Sequence, residues 1–133
     1  MILMKKYIKV VGAVIVKEGK FLCAQRNENT SLPLMWEFPG GKIEENESPE
    51  DALKRELMEE MQCEISVGDK IVTTVHEYDF ATIELTTFYA EMLNEQIVLE
   101  EHVDMKWLSP NELGKIEWAP ADVEAVEKIM KDA

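Results

Sequence analysis

Cysteine, histidine and basic residues are scarce in this chain of 133 residues, and each shortage excludes a class of protein. The two cysteines, Cys23 and Cys63, are far apart and have no histidine at ligand spacing, so neither a disulfide framework nor a zinc site is expected. Only 14 lysines and arginines face 27 acidic residues, which gives a formal net charge of −13. Because nucleic-acid-binding surfaces are basic, this composition argues against binding a nucleic-acid polymer. A bare phosphate would be repelled as well.

Long hydrophobic runs are also absent. No apolar stretch approaches the roughly 20 residues of a membrane span, and the opening segment "MILMKKYIKVV" lacks the order of a signal peptide. We therefore expect no membrane association and a cytoplasmic protein. The length suits a single domain, residues 1–133, with its own hydrophobic core. A monomer and a homodimer are both compatible with the sequence.

The hydrophobic pattern predicts strands on either side of one strongly marked helix. Apolar and β-branched residues indicate strands at Tyr7–Val16, Phe21–Arg26, Lys70–Phe80, Ala81–Leu93 and Asp104–Ser109, with a loop at 27–35. Pro120 is expected to open a final helix with Val123, Val126 and Met130 on one face. Strands before, between and after two helices, without regular alternation, favour an α+β sandwich.

The marked helix follows Ser48, whose hydroxyl is a preferred N-cap, and Pro49, which suits the first helical position. Leu53, Leu57 and Met61 recur every four residues and predict its buried stripe. The segment is also crowded with negative charge, since eight carboxylates lie between Glu44 and Glu60. That crowding requires a reason beyond core packing.

Glu56, Glu59 and Glu60 stand at helical positions i, i+3 and i+4, so their carboxylates share one face. Carboxylates this close repel one another unless a cation lies between them, and oxygen ligands suit Mg²⁺ or Mn²⁺. A bound cation would also let an acidic protein hold a polyphosphate. A solvated acidic surface helix is the alternative interpretation of the helix alone.

The spacing around this helix extends the pattern. Gly41 is followed after five residues by Glu47, and after seven more by "RELMEE" at 55–60. This arrangement resembles the Nudix box, and "FLCAQR", "WEFPGGKIE", "KWLSP" and "APAD" fall in the order seen in small MutT-like nucleotide pyrophosphohydrolases. The chain is most similar to their CTP pyrophosphohydrolase type. The resemblance implies an α/β/α sandwich with a mixed β-sheet between helices, which hydrolyses nucleoside triphosphates to a monophosphate and pyrophosphate.

The resemblance also implies roles for individual residues. It assigns Glu56, Glu59 and Glu60 to the catalytic Mg²⁺ ions (Mn²⁺ being possible), with the Gly40 carbonyl completing the ligand set. Glu56 is also the candidate base for water. Arg55 is expected to orient Glu56, and Glu47 to support the metal through waters.

Further expected positions lie outside the box. A glutamate six residues before the late tryptophan, Trp107, often joins the metal site in MutT-like enzymes, which indicates Glu101; Glu100 is the alternative. Arg26 and Lys42 match positions that contact phosphate. For Arg26 the other interpretation is a surface salt bridge.

Asp122, fifteen residues after Trp107, matches the position that reads the base. An ionised aspartate only accepts hydrogen bonds, which favours the amino groups of cytosine or adenine. A carboxyl group kept protonated by burial would also donate and would admit oxidised purines. Phe38 and Phe80 are candidates for stacking on the base, with core packing as the alternative.

Gln62 occupies the place of the box glycine, so a strained or altered helix end is expected. Three other functions stay open: an 8-oxo-dGTP diphosphatase of MutT type, an enzyme for nucleotide sugars or dinucleoside polyphosphates, and a non-catalytic nucleotide-binding module. The complete set of box acids argues against the last, because such modules usually lose them.

Overall fold

One seven-stranded sheet and two α-helices dominate residues 5–133, the part of the chain that this computed structural model describes. Residues 1–4 of the expected domain, and with them the start of the opening segment, lie outside it. The strands are β1 Lys6–Lys17, β2 Lys20–Arg26, β3 Trp36–Glu37, β4 Gly40–Lys42, β5 Ile65–Glu77, β6 Ala81–Met92 and β7 His102–Leu108. The α-helices are α1 Pro49–Met61 and α2 Val123–Asp132, and two 3-10 helices span Pro110–Lys115 and Pro120–Asp122.

The sheet is mixed. Its strand order is β3-β2-β1-β6-β5, with β4 paired to β1 and β7 paired to β2. β1 and β6 run parallel, from the pair Lys6 and Ala81 to the pair Ile15 and Ala90, whereas the other pairings are antiparallel. The long β1 strand therefore lies at the centre and carries the short β4 strand on part of its length.

Each face of the sheet is covered by one helix. Alternate β1 residues Val11, Ala13 and Ile15 pack in one core with α1, whose buried stripe is Leu53, Leu57 and Met61 as predicted. Val14, on the opposite face of β1, packs in a second core with α2. The expected α+β sandwich with a mixed sheet between helices is confirmed.

Two details of the predicted elements are wrong. β5 begins at Ile65 rather than Lys70, because irregularities in its pairing with β6 break the alternation that marks a strand. In α2, Val123 and Met130 are exposed by 38% and 41%, whereas the buried residues are Ala125, Val126 and Ile129. The buried face of α2 includes the small residue Ala125. The positions of the larger apolar side chains therefore did not predict this face correctly.

The expectations for the thiols and for the end of α1 are confirmed. Cys23 and Cys63 are buried free thiols, and Gln62 ends α1 in the left-handed conformation with φ 53°. Within residues 5–133, none of the helices has the length and apolar character needed to cross a membrane.

Candidate active site

The acidic face of α1 is set by how the helix starts and packs. The Ser48 hydroxyl accepts a hydrogen bond from the Asp51 N–H at 3.1 Å, and Pro49 follows at the first position. With the apolar stripe buried against the sheet, Arg55, Glu56 and Glu60 lie at the boundary of core and solvent, each only partly exposed.

Arg55 binds three carboxylates at once. Its Nε and Nη2 donate to Glu47 at 2.7 and 2.9 Å, while Nη1 donates to Glu56 at 2.8 Å and to Glu59 at 3.2 Å. Nη2 also donates to the Lys42 carbonyl at 2.9 Å, which ties α1 to β4. Hydrogen bonds from Arg55 and from the Glu44 N–H lower the pKa of Glu47 to about 2. Arg55 therefore contacts Glu56, the carboxylate that it is expected to orient.

Two glycines allow the close approach of β4 to its neighbours. A side chain on Gly40 would collide with the Val11 carbonyl oxygen, because β4 and β1 are paired there. A side chain on Gly41 would collide with the carboxylate of Glu56. The two glycines thus allow the Glu56 carboxylate to lie against the backbone of β4.

Glu60 lies among other acids. Burial, followed by the negative charges of Glu101 and Glu56, raises the pKa of Glu60 to about 9. Such a set of repelling carboxylate oxygens fits a hard divalent cation, whose charge would reverse this shift. Glu59 is turned away towards Arg55, with 60% of its side chain exposed. Glu56 and Glu101 thus lie near Glu60, whereas Glu59 contacts Arg55 and is exposed to solvent.

No three Asp, Glu, His or Cys side chains within residues 5–133 stand in a ready-made coordination arrangement. The carboxylates would therefore close around a cation by rotating their side chains. Lys42 is exposed beside them, and its carbonyl already accepts from Arg55. Glu101, and not Glu100, lines the cavity beside this acidic cluster.

A cavity of about 680 Å³ joins this acidic cluster to the residues expected to read the base. Its lining includes Gly40, Gly41, Lys42, Glu60 and Glu101 from the acidic side. It also includes the predicted substrate contacts Arg26, Phe38, Phe80 and Asp122. The volume lies within the range usual for small-molecule sites.

A hydrogen bond from the backbone fixes Asp122 in the wall of this cavity. It is only 5% exposed, and its Oδ1 accepts a hydrogen bond from the Phe38 N–H at 3.1 Å. Burial, together with the negative charge of Glu37, raises the pKa of Asp122 well above its ordinary value; the Phe38 N–H and Arg26 oppose the shift. Asp122 therefore keeps its proton to a higher pH than an exposed aspartate.

The aromatic residues of the cavity differ in exposure. Phe38 is buried and packs on Trp118, with ring centroids 4.7 Å apart, as the core-packing alternative expected. Phe80 is 50% exposed and stacks on Tyr78 at 5.1 Å with nearly parallel rings. Tyr78 is fixed in turn, because its hydroxyl accepts from the Ala121 N–H at 2.8 Å.

Sequence reasoning missed an ion-pair network in the same cavity. Glu37 accepts from Arg26 Nη1 at 2.9 Å through Oε1, and its Oε2 lies 2.9 Å from His102 Nε2. Burial disfavours the charged form of Glu37, but its bonds to His102 and Arg26 lower its pKa below the ordinary value. Arg26 Nε also donates to the Ser31 carbonyl at 2.8 Å.

The sequence held part of the signal for this network. Glu37 lies in "WEFPGG", three residues before Gly40, where its position beside the cavity could have been suspected. His102 had no such signal, because only the pairing of β7 with β2 brings it opposite Arg26. Arg26 thus forms the salt bridge of the alternative interpretation and lines the cavity as well.

A mixed sheet between two helices, with arginine-held carboxylates beside the two glycines of β4 and a cavity of small-molecule size, fits a hydrolase of phosphate-containing compounds. The family model for the NUDIX domain matches residues 10–128, so the chain belongs to that family and is a Nudix pyrophosphohydrolase. The predicted MutT-like resemblance is confirmed.

Individual relatives agree with this assignment. The chain is 37% identical over 125 residues to the CTP pyrophosphohydrolase of Escherichia coli K12, covering 94% of this chain and 93% of that protein. It is 37% identical over 84 residues to the 8-oxo-dGTP diphosphatase of Proteus vulgaris, covering 63% and 75%. A solved structure is also similar, the solution NMR structure of the DNA mismatch repair protein MutT, a Nudix hydrolase from methicillin-resistant Staphylococcus aureus. The two chains are 58% identical, and the TM-score is 0.80 over 98% of this chain and 100% of that one.

Proposed function

We propose that this enzyme hydrolyses nucleoside triphosphates to a nucleoside monophosphate and pyrophosphate, with Mg²⁺ as its cofactor and Mn²⁺ as a substitute. The observation that carries the proposal is the shared cavity, in which the carboxylates of Glu60 and Glu101 and the base-reading candidate Asp122 line one space. The relatives named CTP pyrophosphohydrolase and 8-oxo-dGTP diphosphatase support the same reaction class.

In the proposed reaction, Glu56 accepts a proton from the attacking water. The water oxygen forms a bond to phosphorus, the bridge between the α- and β-phosphoryl groups breaks, and pyrophosphate leaves. Arg55 orients Glu56 through the hydrogen bond of 2.8 Å. A bound divalent cation lowers the pKa of water and neutralises charge on the leaving group. Glu56, Glu60 and Glu101, with the Gly40 carbonyl, would hold it, and Glu59, which now contacts Arg55, would complete the set.

The remaining cavity residues are assigned to the substrate. Lys42 is exposed beside the acidic cluster and is proposed to contact the phosphates, together with Arg26. Glu47 supports the site by anchoring Arg55 at 2.7 Å. Phe80, half exposed in the hairpin loop, offers its ring to a base, and the buried Phe38 supports the pocket through Asp122.

We propose CTP and dCTP as the main substrates, because ionised Asp122 accepts from the cytosine N4 amino group. A second candidate is 8-oxo-dGTP, favoured by the burial of Asp122, which preserves a proton that the carboxyl can donate. The charged and titratable groups facing this carboxyl are Glu37, Arg26 and Tyr78. The protonation state of Asp122 would then decide which of the two substrates is preferred.

The test measures pyrophosphate release from CTP, dCTP, 8-oxo-dGTP and ADP-ribose with Mg²⁺ at several pH values. The ratio of CTP to 8-oxo-dGTP turnover is expected to rise with pH in the natural enzyme, since ionisation of Asp122 removes its donor. In Asp122→Asn the ratio should stay flat, because the amide does not titrate. A ratio that rises equally in both proteins would remove Asp122 as the reader of the base.

A non-catalytic module is the competing function from another class. It would bind nucleotide with Mg²⁺ and release pyrophosphate from none of these compounds. Preferential turnover of ADP-ribose would instead indicate a nucleoside diphosphate derivative as the natural substrate.

A further inference from the structure

The segment between β6 and β7, residues 93–101, returns to the C-terminal end of α1 before it reaches the cavity. The Leu93 N–H donates to the Glu64 carbonyl at 2.7 Å, and the Val98 N–H donates to the Met61 carbonyl at 2.9 Å. Ile97 packs against the same core as the α1 stripe. The backbone of this segment is thus attached to the end of the helix that carries Glu56 and Glu60.

Three polar side chains add to this attachment, and we call Gln62, Asn94 and Gln96 the clasp. Asn94 accepts from the Glu64 N–H at 3.1 Å and donates to the Gln62 carbonyl at 3.2 Å. Gln96 Nε2 donates to Gln62 Oε1 at 2.7 Å. The box glycine has no side chain to make this last bond, so the Gln62 substitution adds a contact as well as left-handed strain.

The far end of the segment is Glu101. Its carbonyl accepts from Asn27 Nδ2 at 3.0 Å, and the next residue, His102, pairs with Arg26 as β7 begins. Glu101 and Glu60 line the same cavity, and the charge of Glu101 is the largest that acts on Glu60. The segment is therefore fixed at one end two residues beyond Glu60, and at the other end beside the cavity.

We propose that the clasp positions Glu101 opposite Glu60 for divalent-cation binding, with Asn94 and Gln62 as its positioning residues. The proposal rests on the proposed metal-dependent function. A loose segment would let Glu101 move away from the other carboxylates, and the cation would lose one ligand. Outer contacts of this kind commonly change metal affinity about 10–100-fold.

The test is binding of Mn²⁺ alone, without nucleotide, measured from free Mn²⁺ by electron paramagnetic resonance. Asn94→Ala and Glu101→Gln are each expected to weaken binding about tenfold. If Asn94 acts through Glu101, the double variant binds no more weakly than Glu101→Gln. Unchanged binding in Asn94→Ala would overturn the proposal, and so would losses that add in the double variant.

Other variants separate positioning from a general loss of structure. Gln96→Ala removes an exposed side chain together with its hydrogen bond to Gln62. It should weaken Mn²⁺ binding without lowering Tm, and unchanged binding would exclude Gln96 from the clasp. Gln62→Gly loses the hydrogen bond between Gln62 and Gln96 but relieves the left-handed backbone strain. Its Tm should therefore rise while Mn²⁺ binding weakens. If Gln62→Gly bound Mn²⁺ as tightly as the natural protein, Gln62 would have no positioning role.

Glu95→Gln is the matched control. Glu95 lies between the two loop members of the clasp, and within residues 5–133 its side chain makes no hydrogen bond. It should bind Mn²⁺ as the natural protein does, and a comparable loss in it would contradict the clasp. Because nucleotide is absent from this measurement, a protein that binds Mn²⁺ as predicted but releases no pyrophosphate would refute the proposed function and leave the clasp intact.

Discussion

Arg55 and Asp122 show how single residues set the charge state of this cavity. The Arg55 guanidinium contacts the carboxylates of Glu47, Glu56 and Glu59, and its hydrogen bonds lower the pKa of Glu47 to about 2. Asp122 has no such partner and is buried near the negative charge of Glu37. The pKa values of Glu47 and Asp122 are therefore shifted in opposite directions by their surroundings.

The buried carboxyl of Asp122 makes folding depend on pH. Since its pKa is raised on folding, its contribution to stability is complete below the unfolded value of about 3.9 and is lost as pH rises. Asp122→Asn keeps the oxygen that accepts from the Phe38 N–H but has no charge to bury. We expect its free energy of unfolding to exceed that of the natural protein at pH 7 and to equal it near pH 3.5.

The measurement is thermal unfolding of the natural protein and of Asp122→Asn from about pH 3.5 to pH 7, without added metal. Measuring the difference between them cancels the many other acids of the chain. If Asp122→Asn were the less stable protein at pH 7, the carboxyl would be ionised and stabilised in the fold.

At the scale of elements, the approach of β4 to β1 and α1 depends on two adjacent glycines. Gly40→Ala places a methyl group against the Val11 backbone and should cost about 3 kcal/mol, near the upper limit for overpacking. Gly41→Ala meets the movable side chain of Glu56 instead. Its stability should change by less than about 1 kcal/mol, while kcat falls about 100-fold because Glu56 is displaced.

Denaturant unfolding and steady-state kinetics on the two variants separate these effects. Gly114→Ala is the control, since an added methyl there meets only ordinary contacts with Met130. Equal activity losses in Gly41→Ala and Gly114→Ala would show that the Glu56 contact has no catalytic importance.

The helix and its acids could be predicted because they follow local rules. Capping by Ser48, the four-residue spacing of the apolar stripe and the box intervals all lie within one short segment. The Glu37 network and the clasp could not be predicted, since each depends on pairing between distant segments, such as His102 with Arg26. The strained cap at Gln62 was predicted, but its bond to Gln96 was not.

At the scale of the whole molecule, a net charge of −13 is compatible with a polyphosphate substrate only if cations bind at the acidic cluster. The sandwich holds that cluster on α1 and β4, and brings Glu101 and the base-reading candidates to the same cavity from three other parts of the chain. The single domain over residues 1–133, the cytoplasmic location, the lack of nucleic-acid binding and the monomeric or dimeric state stay predictions.

Pyrophosphate release from CTP with Mg²⁺, by the natural enzyme, Glu56→Gln and the control Glu95→Gln, tests the central claim most directly. We predict release by the natural enzyme that stops when a chelator removes the metal. We expect a kcat lower by about 10²–10⁴-fold in Glu56→Gln, at an unchanged Tm, and no change in Glu95→Gln. Equal rates in all three proteins, or release that persists in the chelator, would contradict the claim that the acidic cluster performs metal-assisted hydrolysis.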